Sequence, residues 1–528
     1  MPSTFANLYI TLFIAILLGL SGCGNEDNSK IAALPGANYN IAIILVDTLR
    51  PDHLGCYGYD KPTSPTIDKL AAEGVLFENA YSASTFTGEA VSALFTGRPP
   101  AMNSTGLGWT SRPTPMDENL PKRLEAAGYK TGIFSTSFVM RFRGFYDSFQ
   151  EAELFPGMAN SSSLDTQLTD AALDFSKRHQ GERTFQYLHY YAPHAPYNPP
   201  PENLAPFHLD RAVLTPSEDS HPAALVSEGM EKNDPRLAEF KKHYDGEIAF
   251  IDQSIQRYID GLRELGQLSN TLIVLVSDHG EEFMEHGFAD HAWTLYEETL
   301  RIPLIIWAPD LIDGQRVQER VSICDVMPTV LQLTHQGYRA PESTVAGQSL
   351  FVPGETAWTY SPRTNPIYAS LFPESRAQLH AVLYDDFKYI AGPRWLDGDA
   401  CRRFWFLQGT MATKAKSADF LPLDPWAPPM HEALYNLRED PGETNNLLDT
   451  DDALGETGRR LLGEYKDAGA PYQKEGAPTT LIDPFDHAFV ESALQDLKDS
   501  SDSKDATPPE ESRISPEVIE SLETMGYL

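Results

Sequence analysis

Asn40-Ile41-Ala42-Ile43-Ile44-Leu45-Val46 runs without a break into Asp47-Thr48. The apolar stretch does not alternate with polar residues, so a strand formed here needs apolar neighbours on both of its faces. Strands of that kind lie inside mostly parallel sheets covered by helices on either side. The polar ending carries equal weight, because open α/β sheets bind ligands beyond the carboxyl ends of their strands.

Moving outward, comparable apolar runs recur at Gly132-Ile133-Phe134, Phe185 to Leu188, Leu272 to Val276 and Leu304-Ile305-Ile306-Trp307. Helix-like segments separate them. Ile67, Leu70 and Ala71 are closed by Gly74, Leu120 to Ala127 by Gly128, and Phe240, Tyr244, Ile248, Ile251, Ile255 and Ile259 share one helical face. Strands alternating with helices predict an α/β domain with a mostly parallel sheet, spanning residues 39–365. A C-terminal subdomain is expected at 366–470. There Ala381 to Ile390 reads as a hairpin with an Asp385-Asp386 turn, part of a small antiparallel sheet. Residues 471–528 read as an acidic tail. Its 494–514 portion has the composition of a disordered segment, and helical spacing returns through Val518, Ile519, Leu522 and Met525.

The chain has 528 residues, with 75 acidic against 41 basic side chains and a formal charge of −34. Such a surface repels nucleic acid and anionic lipid headgroups. A small anionic substrate is not excluded, because a bound metal can reverse the potential inside a cleft. Residues 1–23 read as a targeting signal. The apolar run Leu8 to Leu20 is short for a membrane span and ends in Leu20-Ser21-Gly22-Cys23, although no Lys or Arg precedes it. This resembles a bacterial lipobox, in which Cys23 carries the lipid anchor, with 24–38 as a tether. An uncleaved anchor helix is the other reading, and both place the remaining chain outside the cytoplasm, in the cell envelope and facing the periplasm. Cys56, Cys324 and Cys401 cannot all pair, so there is no disulfide framework.

Several apolar runs end in residue types that bind metals. One ends at Asp47, another at Ser277-Asp278-His279-Gly280, and a third passes through His189 to Pro193-His194-Ala195-Pro196-Tyr197. Carboxylates combined with an imidazole suit Zn²⁺ or Mn²⁺ better than Ca²⁺ or Mg²⁺. In Thr85-Phe86-Thr87-Gly88-Glu89-Ala90-Val91, a loop feeds a short helix and leaves Thr87 near its N-terminus. Free amides there can hold anionic oxygens, and metal coordination would make the Thr87 hydroxyl a usable nucleophile. Thr87 could instead be only the N-cap.

Val46-Asp47-Thr48-Leu49-Arg50-Pro51-Asp52-His53-Leu54-Gly55-Cys56-Tyr57-Gly58 resembles the opening motif of the sulfatase family, within the alkaline phosphatase superfamily. The likeness continues through Leu94-Phe95-Thr96-Gly97, Pro193 to Tyr197, Ser277 to Glu281, Glu285-His286-Gly287, Leu295-Tyr296-Glu297-Glu298 and Asp325-Val326-Met327-Pro328-Thr329. It implies an alkaline-phosphatase-like three-layer sandwich. It also implies a metal held by Asp47, Thr87, Asp278 and His279, with Thr87 at the nucleophile position. One ion or two is left open. By the same resemblance His194 and His291 stabilise the substrate or protonate the leaving group. His189 and His286 could orient a ligand, and Arg50 could contact the anion or form a structural ion pair. The implied substrate is a small or glycan-type anionic ester.

The departures are chemical. Sulfatases carry Cys/Ser-x-Pro-x-Arg, whose first residue is oxidised to formylglycine. Here Thr87 to Val91 has neither Pro nor Arg, and oxidising threonine would give a ketone. Thr48 replaces the second aspartate of the opening pair, Ser135-Thr136-Ser137 replaces Gly-Lys-Trp, Ala292 replaces a lysine, and Ala192 replaces an Asp that often precedes Pro-His. The expectation is therefore a hydrolase preferring phosphoesters. The alternatives are a sulfatase working without formylglycine and a non-catalytic binding lipoprotein on the same fold.

Overall fold

The computed structural model describes residues 36–103, 118–137, 139–142, 145–155, 161–207, 232–308, 310–334, 346–354, 357–371, 379–392 and 431–469. The lipobox with Cys23, Cys401, the acidic tail and the expected terminal helix lie outside these residues. Asn40–Val46 forms β1, which is buried along its whole length. Ile41, Ile43 and Leu45 enter one core, and Ala42, Ile44 and Val46 enter another on the opposite face. The uninterrupted apolar run thus serves two layers at once, and each buried Val, Leu or Ile contributes about 1.5–3 kcal/mol.

The large sheet is built from β1, β2 (Val75–Tyr81), β3 (Lys130–Ser135), β4 (Glu151–Leu154), β5 (Thr184–Tyr190), β6 (Thr271–Val276), β9 (Arg301–Trp307) and β10 (Gln315–Ser322). Its order is β10-β2-β9-β6-β1-β5-β3-β4. Only β9 runs against its neighbours. β7 (Glu282–Phe283) and β8 (Ala289–Asp290) form a separate short hairpin just after β6. On one face lie α1 (Pro65–Glu73) and the long helix Pro235–Glu264, whose apolar stripe packs with Ala42, Ile44 and Val46. On the other lies α2 (Thr87–Thr96), buried throughout. The result is the three-layer α/β arrangement that the sequence predicts.

A separate four-stranded antiparallel sheet follows, from Ile367–Leu371, Leu379–Tyr384, Phe387–Gly392 and His431–Asn436. The turn between its second and third strands is Asp385-Asp386, with Asp385 at φ 47°. One face packs beneath the helix Glu456–Gly469 through Tyr368, Tyr389 and Tyr465. The other meets Tyr81, Phe86, Leu295 and Leu300 of the large domain. Buried Lys388 crosses the seam to Glu297 and also meets Glu443. Because Phe86 immediately precedes α2, this seam also fixes where Thr87 begins its helix.

Candidate active site

β1 lies between β5 and β6, with Leu45 level with both His189 and Val276. The residues following these strands therefore meet at one edge. Asp47 N–H donates to the Tyr190 carbonyl, and Thr48 N–H donates to Asp278 Oδ1 at 3.3 Å. Leu49 N–H bonds Ser277 Oγ at 2.9 Å. Thr48 sits at φ 53°, a costly conformation for a β-branched residue, and Tyr244 OH holds its carbonyl. Gly280 is required by space, since a Cβ there would lie 2.0 Å from the Glu298 carbonyl oxygen.

The ligand atoms of Asp47, Asp278 and His279 lie within 4.8 Å of one another, and all three residues are buried. Asp47 Oδ1 and Asp278 Oδ2 have no hydrogen-bond partner. Burial, then the neighbouring Asp278, pushes the Asp47 carboxyl well above its ordinary range. Burial also holds the His279 imidazole neutral, lowered to about 4. Its Nδ1 lies 3.0 Å from the Gly280 carbonyl, which places the ring proton there and leaves the Nε2 lone pair free. Nε2 is 3.4 Å from Asp278 Oδ2 and 3.2 Å from Thr87 Oγ1. Unpartnered carboxylate oxygens, a correctly tautomerised imidazole and a hydroxyl make a donor set that fits a divalent cation.

Thr87 is the first residue of α2, and extended Phe86, whose side chain cannot cap, precedes it. Thr87 is therefore not the N-cap. Glu89 and Ala90 amides both close onto the Phe86 carbonyl. The Thr87 and Gly88 amides precede the first amide that donates within the helix and face the end where an anion is favoured.

His189 stands behind Asp47. Nε2 lies 3.1 Å from Asp47 Oδ2 and Nδ1 lies 3.1 Å from the Tyr187 hydroxyl. Burial lowers this imidazole to about 4, so a neutral ring donates to Asp47 and accepts from Tyr187. That orients the carboxylate. His194 and His291 meet edge to face at 4.7 Å, and the His291 ring is 4.4 Å from that of His279. His194 is stacked on Tyr191, with Nδ1 donating to the Ala195 carbonyl at 2.6 Å. His291 Nδ1 lies between Asp290 Oδ1, at 2.8 Å, and Glu281 Oε1, at 3.2 Å.

Two of the sequence candidates stand outside this constellation. His286 pairs with Glu298 at 2.6 Å, stacks on Tyr296, and reaches the Glu443 carbonyl at the seam with the antiparallel sheet. Arg50 is engaged by Asp52, Glu285 and the Glu281 carbonyl, so it braces a loop. Conversely, Tyr187, Glu281 and Asp290 have site contacts that sequence reasoning did not assign. The spacing of Tyr187 and His189, two apart on a strand, was the available signal for the first.

The sulfatase family pattern matches residues 39–336. The chain is 24% identical to an N-acetylglucosamine-6-O-sulfatase of Bacteroides thetaiotaomicron over 63% of this chain and 73% of the relative. It is also 24% identical to an arylsulfatase of Clostridium perfringens, over 56% of this chain and 75% of the relative. Among solved structures, a phosphonate monoester hydrolase of Agrobacterium radiobacter superposes with a TM-score of 0.59 at 18% identity, covering 81% of this chain and 96% of that one. A 2-O GAG sulfatase superposes with a TM-score of 0.61 at 19% identity, covering 84% of this chain and 95% of that one. With its Asp47, Asp278 and His279 cluster at the ends of β1 and β6, and a family match over more than half its length, this chain belongs to the sulfatase family of hydrolases.

Proposed function

We propose that this hydrolase acts on phosphoester-type substrates, with Thr87 as its nucleophile. The observation that carries the reading is the Thr87 hydroxyl, 3.2 Å from His279 Nε2 at the start of α2, in a motif without the residues that formylglycine formation needs. A divalent ion held by Asp47, Thr87, Asp278 and His279 would lower the hydroxyl's pKa and neutralise charge on the ester oxygens. Zn²⁺ or Mn²⁺ suits this donor set better than Ca²⁺ or Mg²⁺.

The bond from Thr87 Oγ1 to phosphorus forms as the bond to the leaving oxygen breaks. The Thr87 proton passes to solvent, and the leaving oxygen takes a proton from His194 Nε2, whose ring is fixed by the Ala195 carbonyl. The His291 ring lies edge to face against that of His194. Water then cleaves the phosphothreonine. One of its protons restores the Thr87 hydroxyl, its hydroxide stays on phosphorus, and solvent reprotonates His194. The α2 amides are placed to receive the transferred group's oxygens.

The curated relatives named above are sulfatases, which supports a small or glycan-type ester and favours, as a second reading, a sulfate ester cleaved without formylglycine. The Leu20 to Cys23 lipobox supports a lipid-anchored protein of the bacterial envelope, facing the periplasm. The deciding experiment compares kcat/KM for phosphate and sulfate esters of one leaving group. A higher value for phosphate is expected, and a higher value for sulfate transfers the assignment to the second reading.

A further inference from the structure

We propose that Glu281, Asp290 and His291 form a second divalent-cation site beside the one built on Asp47, Asp278 and His279. The inference rests on the metal-dependent reading above and deepens it. The ligand atoms of these three residues lie within 4.8 Å of one another. They converge because Glu281 directly precedes β7 while Asp290 ends β8, so the short hairpin brings the two carboxylates to the same imidazole. His291 Nδ1 faces both of them.

A second observation points to a ligand rather than to a closed ion pair. Glu281 is wholly buried, and its Oε2 has no hydrogen-bond partner. The buried Tyr197 hydroxyl likewise has no hydrogen-bond partner. A buried carboxylate oxygen left in this way costs several kcal/mol unless a cation or proton meets it. The Arg50 guanidinium, which reaches this loop, takes the Glu281 backbone carbonyl and the side chains of Asp52 and Glu285 instead.

Electrostatics argues in the same direction. Asp47 and Asp278 in one cluster, and Glu281 and Asp290 in the other, are linked by the 4.4 Å contact of the His279 and His291 rings. One dication neutralises only two carboxylates, leaving a negative site for an anionic ester to enter. Ala292 supplies no charge where the family's lysine would stand. A second dication on Glu281, Asp290 and His291 completes the neutralisation. Two carboxylates and an imidazole suit Zn²⁺ or Mn²⁺.

The test is metal stoichiometry of the untagged full chain, purified in detergent, stripped with chelator and titrated with Zn²⁺ or Mn²⁺ by calorimetry. Elemental analysis after gel filtration gives the metal content independently. About two equivalents per chain are expected for the wild type. Glu281→Gln/Asp290→Asn should fall to about one, and Asp278→Asn should also fall to about one by losing the other site. His291→Gln, which replaces the imidazole with a neutral amide, should match the double variant and serves if the latter misfolds. A wild type binding one equivalent overturns the second site and leaves the Thr87 reading standing. A wild type binding none overturns both, and a folded double variant still binding two overturns the second site.

Discussion

The Thr87 hydroxyl lies 3.2 Å from Nε2 of His279, a residue 192 positions away in the chain. Neither side chain can be moved alone. Thr87 is fixed by the start of a buried helix whose preceding Phe86 is held in the seam with the antiparallel sheet. His279 is fixed by the end of β6, the Gly280 carbonyl and the tight passage of Gly280 beneath Glu298. Preorganisation of this kind lets a hydroxyl meet its reaction partner without reorganising the site.

The cation follows from that geometry. Asp278→Ala removes a buried carboxylate whose Oδ1 also accepts from the Thr48 and His279 amides. Turnover should fall at least about 1,000-fold, together with metal affinity. Chelation should abolish activity, and Zn²⁺ or Mn²⁺ should restore it better than Ca²⁺, because the imidazole ligand disfavours the hardest ions. Undiminished activity in the metal-free Asp278→Ala protein would contradict the assignment.

A pH effect should come from outside the metal cluster. Glu247, on the long helix, accepts from the Asn198 amide at 2.7 Å, while its Oε2 is buried without a partner. Burial pushes this carboxyl up to about 8, against an ordinary value of 4.5. A raised folded-state pKa means that the folded protein binds the proton more tightly than the unfolded chain. The associated stability is complete below the ordinary value and is lost as pH rises to about 8. Glu247→Gln keeps the shape without the ionisation, so the Tm of the variant should decline less than that of the wild type between about pH 5 and 8. Parallel Tm curves would exclude this role.

The anchor is testable without reference to catalysis. If Cys23 is acylated, Cys23→Ser should shift the protein from the membrane fraction to the soluble fraction or to a slower-migrating, unprocessed form. Unchanged partitioning and mobility would favour the uncleaved anchor helix. Among the described residues no helix is long and apolar enough to cross a membrane.

The site was legible wherever a strand ran straight into a chemical group. β1 into Asp47 and β6 into Asp278 and His279 are local patterns, because a strand buried on both faces has to be apolar to its end. Other parts were hidden for physical reasons. β10 exposes Gln315, Arg316, Gln318 and Glu319 at the sheet edge and lacks an apolar run. β2 carries Glu78 and Asn79 at a register shift, which breaks its period. The place of His286 depends on Glu298 and on Glu443, which lies 157 residues away, so no local pattern could distinguish it from a site histidine. Glu281 and Asp290 come together only through the β7–β8 hairpin, whose two-residue strands are too short to leave a periodic signal.

The sharpest prediction concerns Thr87 itself. Thr87→Ala removes the only hydroxyl at the start of α2 while leaving Asp47, Asp278 and His279 in place. Metal binding should therefore persist, and turnover should drop by about 10⁴-fold or more, as when a covalent nucleophile is deleted. Thr87→Ser keeps the oxygen and loses only a methyl group, so a substantial part of the activity should return. Its side chain gains rotamer freedom, and kcat should suffer more than KM. Thr87→Cys should not yield an efficient sulfatase, because Glu89 and Val91 stand where the oxidation motif needs Pro and Arg. Rapid quench with a phosphate ester should trap a phosphorylated chain in the wild type and in Thr87→Ser but not in Thr87→Ala. If Thr87→Ala retained wild-type turnover with its metal bound, water rather than Thr87 would be the attacking group, and the helix end would be left as an anion-binding element alone.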